Sequence, residues 1–171
     1  MPDSRREVGP RGTLRPEEHV TWPEGDVRTE LRLLAERYAR GVDRREVETI
    51  LSAFSPDATL SVHRSSDTDA PDTEMQGHGE ISRIATAIGR YTKTFHLLGQ
   101  SLYEVGDGRA TGEVYCVAHH LTADRHGGTD QVMYIRYDDQ YGPDADGAWR
   151  ISTRRVMVDW TETPAVKPAT T

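Results

Sequence analysis

The chain has 171 residues, 35% of them apolar and 29% charged, and its formal net charge is −7. This length fits one domain, and the mixed composition is typical of a globular protein rather than a membrane or fibrous one. Acidic and basic residues are interspersed without a basic stripe, which argues against nucleic acid as a partner.

The termini and the cysteine content narrow the class of protein further. No apolar run approaches the roughly 20 residues that span a bilayer, and the N-terminal residues contain no apolar stretch typical of a secretory signal. We therefore expect a cytoplasmic protein without membrane contact. Cys116 is the only cysteine, which excludes an intrachain disulfide and a multi-cysteine zinc site.

The ordered domain is expected at residues 21–163. Residues 1–20 and 164–171 contain few large apolar side chains and several Pro or Gly residues. Such segments bury too little apolar surface to offset the entropy of ordering. We predict a disordered N-terminal arm and a disordered C-terminal tail.

Three helices are predicted in the first half of the chain. Thr21 and Glu24 form a capping-box pattern before an apolar stripe at helical spacing that ends near Val42. A second helix is predicted from Arg44 to the stop at Pro56. The third, over 79–91, has an apolar stripe of isoleucines.

Strands dominate the second half. A half-buried strand over 58–64 falls between the second and third helices, and residues 65–79 read as a loop. Four long strand patterns then follow at 93–105, 109–123, 129–141 and 147–160. The order α-α-β-α-β-β-β-β predicts an α+β domain, in which three N-terminal helices close a curved, mostly antiparallel sheet into a cone. The interior of a cone is a natural pocket for a small molecule.

Ionisable side chains in three separate segments could converge in that pocket. Asp43 lies between the first two helices, His96 lies in the first long strand, and His119 and His120 lie in the next. Consecutive strand residues face opposite ways, so only one histidine of the pair can point inward. We favour His120, because it shares its face with a run of small and apolar residues that includes Cys116.

These motifs resemble a known family. The ordered series "YARGVDRREV", "FSPDA", "TFHLLG", a His-bearing strand and "DGAWRI" is similar to the SnoaL-like domain of the nuclear transport factor 2-like superfamily, over about residues 27 to 160. Within the superfamily the pattern is most similar to the scytalone dehydratases. The resemblance implies the cystatin-like cone and a water-orienting, proton-transferring set of Asp43, His96 and His120.

The resemblance also implies the surroundings of the set. Tyr38 takes the place of a pocket aromatic, and His63 lies close to the place of a pocket tyrosine. Val42 stands where the dehydratases have a tyrosine, so the likeness points to a reaction class rather than to one substrate. The complete predicted substrate-binding set is Tyr38, His63, Cys116, Ala118, Met133 and Met157.

The expected function is that of a cofactor-independent lyase or isomerase. A carboxylate bonded to one ring nitrogen of a histidine raises the basicity of the other, which suits proton abstraction beside a carbonyl. Dehydration, isomerisation or cyclisation of a hydrophobic, oxygenated intermediate, such as a polyketide of secondary metabolism, would follow. We expect no metal, no organic cofactor and a homodimer or higher homo-oligomer.

Other interpretations of the same residues remain open on sequence alone. "DRRE" also fits a capping box in which Asp43 and Glu46 start the second helix. His96 could be a core histidine, and His120 an exposed residue at a strand end. Asp43, His96 and His120 could instead hold zinc or iron, and Cys116 could act as a nucleophile.

Two other functions compete with the enzyme hypothesis. A non-catalytic member would bind a ligand or serve as an assembly partner, as the small subunit of ring-hydroxylating dioxygenases does. An epoxide hydrolase in a similar cone would need an Asp-Arg-Asp set, and the sequence shows no such set at the matching spacing.

Overall fold

The computed structural model describes residues 25–64 and 69–167. The predicted N-terminal arm and the capping box of Thr21 and Glu24 lie outside the described residues. None of the described helices is long and apolar enough to cross a membrane.

Helices precede the long strands along the chain. The elements are α1 (Gly25–Arg44), α2 (Val47–Leu51), β1 (Phe54–His63), β2 (Thr73–Gln76), α3 (Gly77–Ile81), α4 (Arg83–Ala87), a 3-10 turn (Ile88–Arg90), β3 (Lys93–Gly106), β4 (Arg109–Asp124), β5 (Gly127–Pro143), β6 (Trp149–Glu162) and β7 (Ala165–Val166).

The strands form one sheet in the order β2-β1-β6-β5-β4-β3. Among the strands of the described residues, only β1 and β6 pair in parallel, and the other pairings are antiparallel. Register shifts interrupt β3 between Leu98 and Ser101 and the pairing of β5 with β6 at two places. Because such bulges bend and twist a strand, they curve the sheet. The predicted α+β fold with a curved, mostly antiparallel sheet is confirmed.

Several element boundaries differ from the sequence prediction. The second helix covers only Val47–Leu51, because Phe54 already pairs with Ile151 of β6, and sheet pairing overrides the helical spacing. The expected loop contains β2, which pairs with β1. The predicted third helix is divided into α3, α4 and the 3-10 turn.

The expected disordered tail begins with ordered residues. Ala165 and Val166 form β7 and pair with Thr129 and Gly128, at the start of β5 where β6 does not pair. Residues 168–171 lie outside the described part of the chain.

Helix α1 covers the free edge of β3. The guanidinium of Arg28 donates to the carbonyl of Tyr103, and Arg32 Nη1 donates to the carbonyl of Gly99 at 2.8 Å. Unpaired strand edges invite pairing with another chain, and natural proteins cover them. These bonds from α1 give two carbonyls at the edge of β3 a hydrogen-bond partner and fix the position of α1 along the strand.

A buried ion pair joins β5 to β6 on the inner face of the sheet. Arg154 Nε and Nη2 donate to the two carboxylate oxygens of Asp139 at 2.8 and 2.6 Å, and both side chains are fully buried. Tyr141 donates a further hydrogen bond to Asp139, and the guanidinium lies over the ring of Tyr137. Burial alone would lower the pKa of Arg154, but Asp139 raises it overall, so the arginine stays charged.

Breaking this pair should unfold the domain more easily than breaking an exposed pair on the same strand. Asp139→Asn leaves a buried guanidinium without its counter-charge, and we expect a loss of about 3–5 kcal/mol in the free energy of unfolding. The control is Asp138→Asn, whose contact with Arg155 is exposed and should contribute less than about 1 kcal/mol. Urea unfolding followed by circular dichroism measures both. Equal losses for the two variants would contradict this account.

Candidate active site

A cavity of about 510 Å³ lies between the inner face of the sheet and the helices that cover it. Its interior is mainly apolar, and exposed charged side chains mark its opening. The apolar lining includes Leu60, Val62, Met75, Ile84, Ile88, Met133, Ile135, Val156 and Val158, and the histidines in its wall are His96 and His120.

The last turn of α1 places Asp43. The helix ends in a Schellman motif, in which the backbone N–H of Glu46 donates to the carbonyl of Gly41 and that of Arg45 to the carbonyl of Val42. Arg45 takes the left-handed conformation that this motif requires, with φ of 58°. "DRRE" therefore ends the first helix, and Asp43 does not cap the second.

Asp43 and His96 form a two-point contact across 53 residues of sequence. Asp43 Oδ1 lies 2.7 Å from His96 Nδ1, and Asp43 Oδ2 accepts the backbone N–H of His96 at 2.9 Å. An ionised carboxylate only accepts, so Nδ1 carries a proton, and in the neutral imidazole the lone pair is then on Nε2. Burial alone would raise the pKa of Asp43, but the hydrogen bonds from His96 lower it overall.

His120 lies beside His96 on the cavity wall. The two rings meet edge to face with centroids 5.7 Å apart. Burial and the neighbouring His96 lower the pKa of His120 to about 4, so its ring is neutral at physiological pH. Nδ1 of His120 is buried without a hydrogen-bond partner among the described residues.

The other member of the histidine pair, His119, points to the outer face of the sheet. Its Nδ1 lies 2.6 Å from Asp130 Oδ2, and its ring lies beside exposed Phe95. The chain thus holds a second Asp–His pair outside the cavity, on the opposite face of β4.

The remaining predicted binding residues divide into two groups. Tyr38 and Met133 line the cavity. Cys116 and Ala118 are buried on the inner face of β4 but do not border the cavity. His63 and Met157 are register partners in β1 and β6 and point away from it, because their neighbours in the two strands provide the lining.

Two of the alternatives can be compared with the structure directly. Burial raises the pKa of Cys116 to about 11, so the thiol is protonated at neutral pH and a poor nucleophile. Within residues 25–64 and 69–167, no group of three or more His, Cys, Asp or Glu side chains is arranged to hold a metal ion.

Arg90 and Tyr91 line the cavity but were not predicted from the sequence. The ring of Tyr91 lies 4.8 Å from that of His120, and its hydroxyl donates to Gln131 Oε1 at 3.0 Å. The available signal was the pair "RY" at the end of the third helical pattern, directly before the strand that holds His96.

The model of the SnoaL-like domain family matches residues 24–155 of the chain. The chain belongs to the SnoaL-like domain family. No curated protein matches it significantly by sequence.

Solved structures with the same fold cover most of this SnoaL-like chain. A hexachlorocyclohexane dehydrochlorinase, LinA-type3 of Novosphingobium barchaimii, superposes with a TM-score of 0.70 at 15% identity, over 85% of this chain and 95% of that one. A protein of Novosphingobium aromaticivorans that carries the name scytalone dehydratase has a TM-score of 0.66 at 18% identity, over 85% and 94%. At these identities both likenesses show the fold alone.

A structure with higher identity comes from Kribbella flavida. The protein Kfla4162 has a TM-score of 0.65 at 26% identity, and the match covers 79% of this chain and 92% of that one. The SnoaL-like fold is thus shared over almost the whole length of each of these neighbours.

The buried His120 should make the protein sensitive to acid. The pKa of His120 is about 4 in the folded chain, below the ordinary 6.5. As the pH falls from 6.5 to 4, the histidine is therefore protonated in the unfolded chain but stays mostly neutral in the folded chain, which lowers the free energy of unfolding. His120→Gln removes this difference, and its free energy of unfolding should fall by about 2 kcal/mol less over that interval. Urea titrations at several pH values measure the slopes. Identical slopes for the variant and the wild type would disprove the assignment.

Proposed function

We propose that this SnoaL-like protein is a cofactor-independent lyase or isomerase that acts on a hydrophobic, oxygenated small molecule of the kind found in secondary metabolism. The observation that carries the proposal is the two-point contact of Asp43 with His96 at the wall of an apolar cavity. The names of the dehydratase and dehydrochlorinase neighbours describe eliminations, which is the same class of reaction.

His96 is the proposed general base. Asp43 holds the proton on Nδ1, so the Nε2 lone pair is the proposed basic site, and the His96 side chain lines the cavity. When Nε2 takes a proton from the substrate, the ring becomes a cation, and the carboxylate 2.7 Å away stabilises that charge. Asp43 is thus a positioning residue, since it acts through His96.

His120 is the proposed hydrogen-bond donor to the substrate oxygen. In the proposed tautomer the proton is on Nε2, so that the neutral ring presents a donor to the cavity that His120 lines. A neutral imidazole in an enclosed site can stabilise an enolate by such a bond. A second cationic histidine would instead repel the protonated His96.

The step balances without an external reactant. For a β-hydroxy ketone, Nε2 of His96 takes the proton from the carbon beside the carbonyl, and the electron pair of that C–H bond forms the enolate. The enolate then re-forms the carbonyl, a double bond forms between the α and β carbons as the β C–O bond breaks, and the oxygen leaves as water with the proton from His96. In an isomerisation the same proton returns to a different carbon.

The cavity limits the substrate to a compact molecule. A volume of about 510 Å³ lies in the range of pockets that enclose small organic ligands. Burial raises the pKa of Tyr38 to about 12, so its phenol is neutral and adds a polar group to a mainly apolar wall.

Substitutions in the two Asp–His pairs separate catalysis from folding. We expect Asp43→Asn and His96→Gln to lower kcat/KM by about a hundredfold to ten-thousandfold on an aromatic β-hydroxy ketone such as β-hydroxytetralone, which yields fluorescent naphthol on loss of water. The matched control is Asp130→Asn, which changes the pair on the outer face and should leave turnover unchanged.

The tautomer of His96 provides a second readout for the same variants. Nitrogen-15 NMR of the histidine side chains should show a protonated Nδ1 in the wild type and a mixture of tautomers in Asp43→Asn. Wild-type turnover by Asp43→Asn, with the tautomer altered, would refute the proposed role of the pair.

The outer face of the sheet supports a proposed homo-oligomer. Phe95 is 59% exposed, Leu97 56% and Trp160 53%, and none of the three lines the cavity. Exposed apolar patches of this kind are typical of protein interfaces. The assembly-subunit hypothesis would place a larger chain on the same face.

Light scattering after size-exclusion chromatography tests this surface. We expect the wild type to elute as a dimer or larger and Phe95→Lys to elute as a monomer, because a buried lysine would lack a counter-charge. Leu33→Lys changes an exposed leucine on α1 and should not affect the mass. A monomeric wild type that co-purifies with a larger chain would favour the assembly subunit instead.

A further inference from the structure

The charged residues at the opening of the cavity are unevenly paired. Arg64, Arg83 and Arg90 line it together with Glu74 and Glu80, although the chain as a whole has an excess of acidic residues. Glu80 accepts the backbone N–H of Gln76 and lies 3.6 Å from Arg83. Arg90 has no carboxylate partner among the described residues.

Tyr91 connects Arg90 to the histidine side of the cavity. The guanidinium of Arg90 lies 4.8 Å from the centre of the Tyr91 ring, and its Nη2 donates to the Tyr91 hydroxyl at 2.9 Å. The centre of the His120 ring lies 4.8 Å from that of the Tyr91 ring. The hydrogen bond from the Tyr91 hydroxyl to Gln131 connects Tyr91 to β5.

The positive charge of Arg90 therefore acts on His120 at the wall of the cavity. Burial and His96 are the main causes of the lowered pKa of His120, and the nearby positive charge of Arg90 contributes to it. An arginine offers several N–H donors in a planar fork that matches a carboxylate. Most of the remaining lining is apolar, and Arg90 is the arginine of the opening that Tyr91 connects to His120, so we place an anionic group of the ligand at this end.

We propose that the cavity selects an apolar molecule that carries one carboxylate, and that Arg90 is the residue that determines this specificity. The inference deepens the proposed function and rests on it for the cavity and for His120 as a donor. The apolar body would lie against the aliphatic lining, with the carboxylate on Arg90 and with the Nε2–H of His120 left for the oxygen that becomes the enolate. Tyr91 would position both groups.

A pair of isosteric ligands tests the proposal without any turnover. Naphthoate and naphthamide have the same apolar body and differ in charge, and isothermal titration calorimetry gives their affinities. We expect the wild type to bind naphthoate about tenfold more tightly or better, since hydrogen bonds to a charged group are the stronger ones. Shifts of the Tyr91 and His120 NMR signals locate the ligand.

Variants of two exposed arginines make the test specific. Arg90→Gln should lose the preference for naphthoate while naphthamide binding changes little. Arg37→Gln, on the exposed face of α1 and outside this cavity, should keep the wild-type preference. Tyr91→Phe keeps the ring, removes the hydroxyl that holds Arg90, and should reduce the preference partly.

Three results would overturn the proposal: equal affinities of the wild type for the two ligands, no measurable naphthoate binding, or an unchanged preference in Arg90→Gln. His96→Gln separates this inference from the catalytic one. It should keep the preference for naphthoate even though it lacks the proposed base, so a failure of catalysis and a failure of carboxylate selection give different results.

Discussion

The carboxylate of Asp43 is the contact that connects the helical layer to the sheet at the site. One oxygen accepts the backbone N–H of His96 at the edge of β3, and the other accepts its side chain. The first bond fixes where α1 ends relative to the strand, and the second fixes the orientation of the imidazole. Because both bonds come from one carboxylate, the helix cannot shift along β3 without also turning the histidine.

The buried Arg154–Asp139 ion pair lies next to two aromatic side chains of the cavity wall. The guanidinium of Arg154 is stacked 4.6 Å from the Tyr38 ring and 4.2 Å from the Tyr137 ring, and both tyrosines line the cavity. A buried ion pair contributes less to stability than a well-packed apolar pair of similar volume, because desolvation opposes the attraction. Its fixed geometry, however, orients two aromatic walls of the site at once. We attribute the retention of charge here to that orientation.

Local patterns in the sequence predicted the fold well. The four long strands lie within a few residues of their predicted limits, because strand alternation and Gly-rich turns are local signals. The motif "DRRE" shows the limit of such signals. It fits both an N-terminal capping box and a Schellman end, and only the backbone bond from Glu46 to Gly41 decides between them.

The site could be predicted only in part for a related reason. Alternation along a strand gives the face of a residue, and it placed Cys116 and Ala118 correctly on the inner side of β4. Alternation does not tell which residues of the inner face border the cavity, because that depends on how the helices, which are distant in sequence, pack on the sheet. His63 lies on the outward-facing set of β1 that alternation alone indicated. Tyr91 lies in the irregular segment before β3, where the sequence has no helix or strand periodicity that predicts the direction of a side chain.

The two Asp–His pairs show why residue type alone does not define a site. The Nδ1–carboxylate distances are 2.7 Å for His96 and 2.6 Å for His119, so the pairs are alike in their hydrogen bonding. They differ in what surrounds the second ring nitrogen. The His96 side chain is 6% exposed and faces an enclosed cavity, whereas that of His119 is 38% exposed on the outer face. Burial strengthens the electrostatic interactions of the His96 ring, whereas solvent screens those of the more exposed His119 ring. The proposed proton transfer thus depends on the cavity that His96 of β3 lines, whereas His119 of β4 lies on the outer face.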